Sequence, residues 1–136
     1  MYQACIAVVD AMRARLFSFK RTSEADGLNE SFIEERDLVN PAHRGAQVAA
    51  IDAEFARLVA TEMHALMQSA HSKRLILCAG PHMLGALRTA EREVAQPGVQ
   101  IDELPLDLAK LSPSQLREHL ASHGLLPELH RLVEHR

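Results

Sequence analysis

The stretch RLILCAG, residues 74–80, decides the fold. Leu75 to Ala79 is an unbroken apolar run, with a basic residue before it and Gly80–Pro81 behind it. A strand with one wet face alternates polar and apolar residues, whereas a strand buried on both faces does not. The run therefore predicts a central strand, parallel to a neighbour, and parallel strands need crossover helices. Helical patterns lie on both sides of it. Upstream, Val48, Ile51, Phe55, Leu58, Val59, Met63, Leu66 and Met67 recur at steps of three and four, which is one face of a long amphipathic helix. Downstream, PHMLGALRTAEREVAQ places Leu84, Leu87, Ala90 and Val94 on one helical face, with Gly98 as its stop.

Towards the N-terminus, ACIAVVD and ARLFSFK are apolar runs separated by a few residues, so they read as a hairpin. Asp10 suits the first turn position, where its carboxylate accepts backbone N–H groups and can also pair with Arg13 or Arg15. EADGLN supplies a second turn. ESFIEERDLV then alternates as an edge or one-sided strand would. This segment is acidic: Glu24, Asp26, Glu30, Glu34, Glu35 and Asp37 stand against Arg36 alone. A solvated face that blocks edge pairing accounts for it more simply than an acidic docking surface.

Towards the C-terminus, VQIDELPLDL alternates as a fifth strand. SPSQLREHLASHG opens with Ser112 as N-cap, Pro113 at the first helical position and Gln115 as capping-box partner, and closes on Gly124. LPELHRLVEHR reads as a last short helix. The expected fold is a single α/β domain over residues 1–136, βββαβαβα in order. It has a mixed five-stranded sheet with helices on both faces. The first strand sits centrally beside the fourth, a ribonuclease-H-like arrangement that puts Cys5 and Cys78 on neighbouring strands.

Bulk properties narrow the function. The chain of 136 residues is long enough for one core. Its net charge of −3 does not suit bulk electrostatic binding of nucleic acid, so an RNA contact needs a local patch and DNA binding is not expected. Both cysteines sit in apolar runs, as free thiols of a reduced compartment do. The N-terminus lacks a signal-peptide pattern, and no apolar run approaches the roughly 20 residues that span a bilayer. A cytoplasmic protein without membrane contact is expected.

Four blocks carry a family resemblance: CIAVVDAMRARLFSF, FARLVATEMHAL, RLILCAGPHMLGALR and LAKLSPSQLREHL. They resemble the bacterial host-attachment protein family, whose members are described as required for attachment to host cells. That family is similar in turn to the middle domain of archaeo-eukaryotic peptide release factors and of Pelota. The most specific pieces are Asp10 followed by RARLF, and the block holding Pro81, Leu84, Gly85, Leu87 and Arg88. The resemblance implies the same mixed sheet. A cytoplasmic chain is not itself an adhesin, so the attachment phenotype would be indirect.

Several chemistries can be weighed on the residues. Two-metal nuclease chemistry needs three or four converging carboxylates. Asp10 and Glu54 are available, but the fourth strand ends LCAGPH, and the set is incomplete. His119 and His123 are spaced to share a metal, yet no third ligand completes a tetrahedral set, so no metal and no cofactor are expected. GPHMLG turns from a strand into a helix N-terminus, where N–H groups favour anions. Gly80 and Pro81 end the strand and start the helix, Gly85 lets the helix approach the sheet, and His82 and Arg88 are the anion contacts. No G-x-S-x-G or P-loop pattern occurs.

Release factors carry a Gly-Gly-Gln loop before the long helix, and this chain supplies Arg44, Gly45, Ala46 and Gln47 at that place. The resemblance implies Gly45 and Gln47 as catalytic candidates for peptidyl-tRNA ester hydrolysis. Alanine in the second position conflicts with a loop that needs left-handed backbone there. The expected function is a non-catalytic binding module, acting on ribosomes or RNA through Arg13, Arg15, Arg44, His82 and Arg88. Lys20, Lys73 and Arg74 are further basic residues. A release-factor-like hydrolase is the alternative. A homodimer through the long helix or edge strand is a third reading.

Overall fold

Two strands bury both faces, as their apolar runs require. In the computed structural model, which describes residues 1–24, 27–41, 48–94 and 96–128, these are β1 (Tyr2–Val9) and β4 (Arg74–Ala79). The remaining elements are β2 (Arg13–Glu24), β3 (Gly27–Val39), α1 (Val48–Ala70), α2 (Pro81–Val94), β5 (Gln100–Leu104) and α3 (Pro113–Ser122). The sheet order is β3-β2-β1-β4-β5. β1 pairs antiparallel with β2 and parallel with β4, in the ribonuclease-H-like order expected. β2–β3 is antiparallel and β4–β5 parallel.

The β1–β4 register runs from Cys5 opposite Leu75 to Val9 opposite Ala79, and every residue of both runs is 0% exposed. Strand alternation divides these residues between two cores. Cys5, Ala7, Val9, Leu75 and Leu77 meet α1 and α2 through Phe55, Val59, Met63, Leu84 and Leu87. Ala4, Ile6, Val8, Ile76 and Cys78 meet Leu108, Leu116 and Leu120 of the α3 side. Cys5 and Cys78 are thus on neighbouring strands but on opposite faces of the sheet, both free. Burial pushes their thiols up to about 11 and about 12. They behave as small apolar residues.

Turn and cap chemistry follows the sequence closely. Asp10 Oδ1 accepts the N–H groups of Met12 and Arg13, each at 2.8 Å, and closes the β1–β2 hairpin. Ser112 and Gln115 form the reciprocal capping box of α3. At its other end, Gly124 has φ +73°, and the Leu125 N–H reaches the Leu120 carbonyl, which completes a Schellman motif. α1 ends the same way without a glycine. His71 takes φ +56°, and the Ser72 N–H donates to the Met67 carbonyl.

Several sequence expectations need correction. Leu58 is 39% exposed, because Ala56 and Ala60 take the sheet-facing places beside Phe55 and Val59. α2 stops at Val94, and Gly98, at φ +83°, serves the turn into β5 rather than the helix end. Leu125–Glu128 is not helical, and the rest of the expected last helix lies outside the described residues. Asp10 accepts the Arg13 backbone N–H but makes no ion pair with the side chain of Arg13 or Arg15: Arg13 meets Asp37, and Arg15 meets Glu34. The acidic strand is an exposed edge, as a solvated face is, and two of its carboxylates are also paired: Glu30 with Arg21 of β2 and Arg117 of α3, and Glu34 with Arg15 of β2, while Arg36 reaches Glu62 of α1.

Arg15 and Arg117 are the exceptions to the rule that arginine stays exposed. Arg15 donates twice to Glu34 and to the carbonyls of Ala109 and Leu111, and its guanidinium lies 5.2 Å from the Phe17 ring centre. It therefore ties the edge strand to the segment that leads into α3. Arg117 grips Glu30 with two hydrogen bonds and sits over Phe19. Arg117 holds the Glu30 carboxyl below the usual carboxylate range.

Gly85 does not allow a close helix approach, since a Cβ there meets nothing within 4 Å. It is a mid-helix glycine without a packing reason, and such a residue costs backbone entropy. Gly85→Ala is expected to raise stability by roughly 0.5–1 kcal/mol. Urea unfolding of the pair measures this, and a loss of stability would show that the position serves another contact.

Candidate functional site

Parallel pairing of β1 and β4 brings their carboxyl ends side by side, with Asp10 following one and Gly80 the other. Crevices at such strand ends are the usual ligand position in open α/β sheets. α2 starts there at once. Gly80 stands in its N-cap place and has no side chain to cap the first turn. Pro81 brings no N–H group, and the Leu84 N–H is taken by the Gly80 carbonyl. The N–H groups of His82 and Met83 belong to the first turn, where helices leave donors unpaired.

α1 packs against α2 and supplies the second half of the site. Asp52 Oδ2 lies 3.1 Å from His82 Nε2. The carboxylate side chain is 4% exposed and the imidazole 71% exposed. The other oxygen, Oδ1, is buried without a hydrogen-bond partner among the described residues. A buried carboxylate thus anchors an exposed ring by one nitrogen and leaves Nδ1 to solvent or a partner. Neutral, that nitrogen accepts a hydrogen bond; protonated, it donates one to an anion.

The other expected contacts do not gather here. Arg13 reaches Asp37 at 2.6 Å. The Arg15 guanidinium is turned inward on Glu34 and two carbonyls, so as an anion contact it is corrected to a structural tie. Arg88 makes two hydrogen bonds to Glu103 on β5, which raise its own pKa and lower that of Glu103. Arg74 pairs with Asp102 and lies over the Tyr2 ring. Lys73 sits at the start of β4, the opposite end of the sheet. Arg44, Gly45 and Gln47 lie outside the described residues. Asp10 is committed to its turn, and Glu54 is exposed. The rings of His119 and His123 stack at 6.1 Å. Among the described residues, no three His, Cys, Asp or Glu side chains gather to hold a metal.

Two residues that matter were not singled out in the sequence. Asp52 and Glu91 both occupy apolar-stripe positions: Asp52 precedes Phe55 and Val59 by three and seven residues, and Glu91 follows Leu87 and Leu84 by four and seven. A carboxylate inside a helical stripe was the available signal. Glu91 is 8% exposed, its Oε2 has no hydrogen-bond partner among the described residues, and burial raises its pKa to about 7.

This is an α/β protein of ribonuclease-H-like strand order, with a carboxylate–imidazole pair at the carboxyl ends of its parallel strands. Residues 41–120 match the family described as "Protein required for attachment to host cells", and the chain belongs to that family. No curated protein matches it. Among solved structures, the chain is similar to the type II variant of the Aquifex aeolicus Ppx/GppA phosphatase, with 16% identity and a TM-score of 0.49. That match covers 76% of this chain and 36% of the phosphatase. A second structure from the same phosphatase family of Aquifex aeolicus gives 15% identity, a TM-score of 0.45, and coverage of 75% and 34%. Thermus thermophilus RuvC gives 12% identity, a TM-score of 0.47, and coverage of 93% and 74%. The chain spans about a third of the length of the two phosphatase structures. The fold rests on strand order and register rather than on these scores. No helix among the described residues is long and apolar enough to cross a membrane.

Glu91 makes stability depend on pH. Its pKa is raised from 4.5 to about 7 on folding, so the folded chain holds more protons than the unfolded chain in that window. The contribution is complete below 4.5 and is lost as pH rises through 7. Glu91→Gln removes the penalty. It should match the wild type near about pH 4 and be more stable by up to about 3 kcal/mol near about pH 8. An advantage that does not grow with pH in urea unfolding would contradict this.

Proposed function

We propose that this host-attachment-family chain is a non-catalytic binding module that meets ribosomal RNA at the carboxyl ends of β1 and β4. The Asp52–His82 pair carries the reading. It fixes an exposed imidazole beside first-turn donors of α2 that have no cap among the described residues, a combination that suits a phosphate oxygen. The net charge of −3 calls for a local contact of this kind, and Arg13, Arg15 and Arg88 are each already engaged by carboxylates. The host-attachment phenotype then follows from an effect inside the cell and not from adhesion.

A second reading keeps the release-factor resemblance. Gln47 is the residue before α1 in the sequence, five positions ahead of Asp52, whose carboxylate meets His82. On that reading Gly45 and Gln47 assist water attack on a peptidyl-tRNA ester. Gln47→Ala would lower peptidyl-tRNA hydrolysis at least tenfold with folding intact. A wild-type chain that releases no peptide from ribosome complexes removes this reading and leaves the binding module.

Co-sedimentation with bacterial ribosomes at low and moderate salt tests the binding reading. The wild type is expected in the ribosomal pellet, with His82→Ala weakening binding at least threefold and Asp52→Asn weakening it less. No pelleting at either salt, or full pelleting of His82→Ala, would contradict it.

A further inference from the structure

A second site lies at the other end of the sheet. A half-open cleft of about 410 Å³ sits between the C-terminal ends of α1 and α2, where β4 and β5 begin. That volume falls within the range of small-molecule sites. Glu91 lines it, more than nine-tenths buried, with Oε2 unpartnered among the described residues. A buried carboxyl oxygen without a donor is costly unless a ligand supplies one. Met67, Val99 and Ile101 give the cleft apolar walls. His64, His71 and Lys73 give it groups that carry or accept positive charge.

His71 adds an independent sign. It holds φ +56° at the end of α1, a left-handed position that glycine takes at lower cost. Here the position is a histidine, and its side chain lines the cleft. Backbone strain of this kind concentrates at functional sites.

We propose that the cleft binds a guanine nucleotide, with the base between the apolar walls, its N–H edge on Glu91, and its phosphate at Lys73, His71 and His64. Each part of the ligand answers a feature of the cleft. Guanine presents two adjacent donors, N1–H and the N2 amine, which match the two oxygens of one carboxylate once the side chain rotates its buried Oε2 towards the cleft. Adenine presents an acceptor at N1 and does not. A phosphate dianion suits three cation-forming groups better than the single charge of an amino-acid carboxylate. Donation of two hydrogen bonds favours the ionised carboxylate and offsets its burial. The site is independent of His82, which lies at the other end of the sheet.

Calorimetric titration of the full chain with GMP, AMP and guanosine tests the proposal. GMP should bind at least tenfold tighter than AMP. E91Q, whose thermal unfolding confirms that it folds, should lose at least tenfold for GMP. K73A should weaken GMP severalfold and leave guanosine unchanged. Absence of GMP binding at millimolar concentration, equal binding of AMP and GMP, or undiminished GMP binding by E91Q would overturn it.

Discussion

The structure depends on one pairing, the parallel ladder between β1 and β4. Five residues from each strand meet in it, all excluded from water on both faces. Burial on two faces requires two covers, so α1 and α2 take one side and α3 the other. Parallel direction requires a crossover, and the 23-residue α1 provides it. The same direction also places the ends of both strands together and starts α2 beside them. The contact between Asp52 and His82 is a consequence of that geometry, since the helix that crosses over and the helix that follows must pack on one face.

The charges of the chain are organised around the edge rather than around a binding patch. β3 is a long exposed edge strand, and acidic residues on it discourage pairing with another sheet. Left unpaired, those carboxylates would repel one another. Arginines on β2 and α3 bind them, and two of these arginines are buried against phenylalanine rings. Removal of either partner would strand a charge, which is why such pairs cost more to break than they contribute to stability. Among the described residues, seven arginines face a carboxylate within the fold, which leaves fewer cations for a partner.

The fold was legible in the sequence because its signals are local and mutually consistent. The run at residues 75–79, the stripe of α1, the Asp10 turn and the Ser112 capping box each name one element, and together they leave one topology. Some of the errors were ones of facing, others of where a helix ends. Leu58 lies off the stripe because two alanines fit closer to the sheet, and Gly85 has open space where close contact was expected. The site was legible only in part. His82 could be read from the strand–Pro–helix junction. Its pairing with Asp52 could not, because the distance between them is set by the packing of two helices and not by spacing along the chain. The same holds for Arg15, whose carbonyl partners lie more than ninety residues away. Gly45 and Gln47 lie outside the described residues, so the resemblance alone carries them.

The proposed partner contact lies at the carboxyl ends of β1 and β4. Hydrogen exchange of the chain, free and bound to purified bacterial ribosomes, tests it most directly. The account predicts added protection at Met12, Arg13 and His82–Leu84, with β3 unchanged. Protection confined to β3, or none in a complex that demonstrably forms, would contradict it.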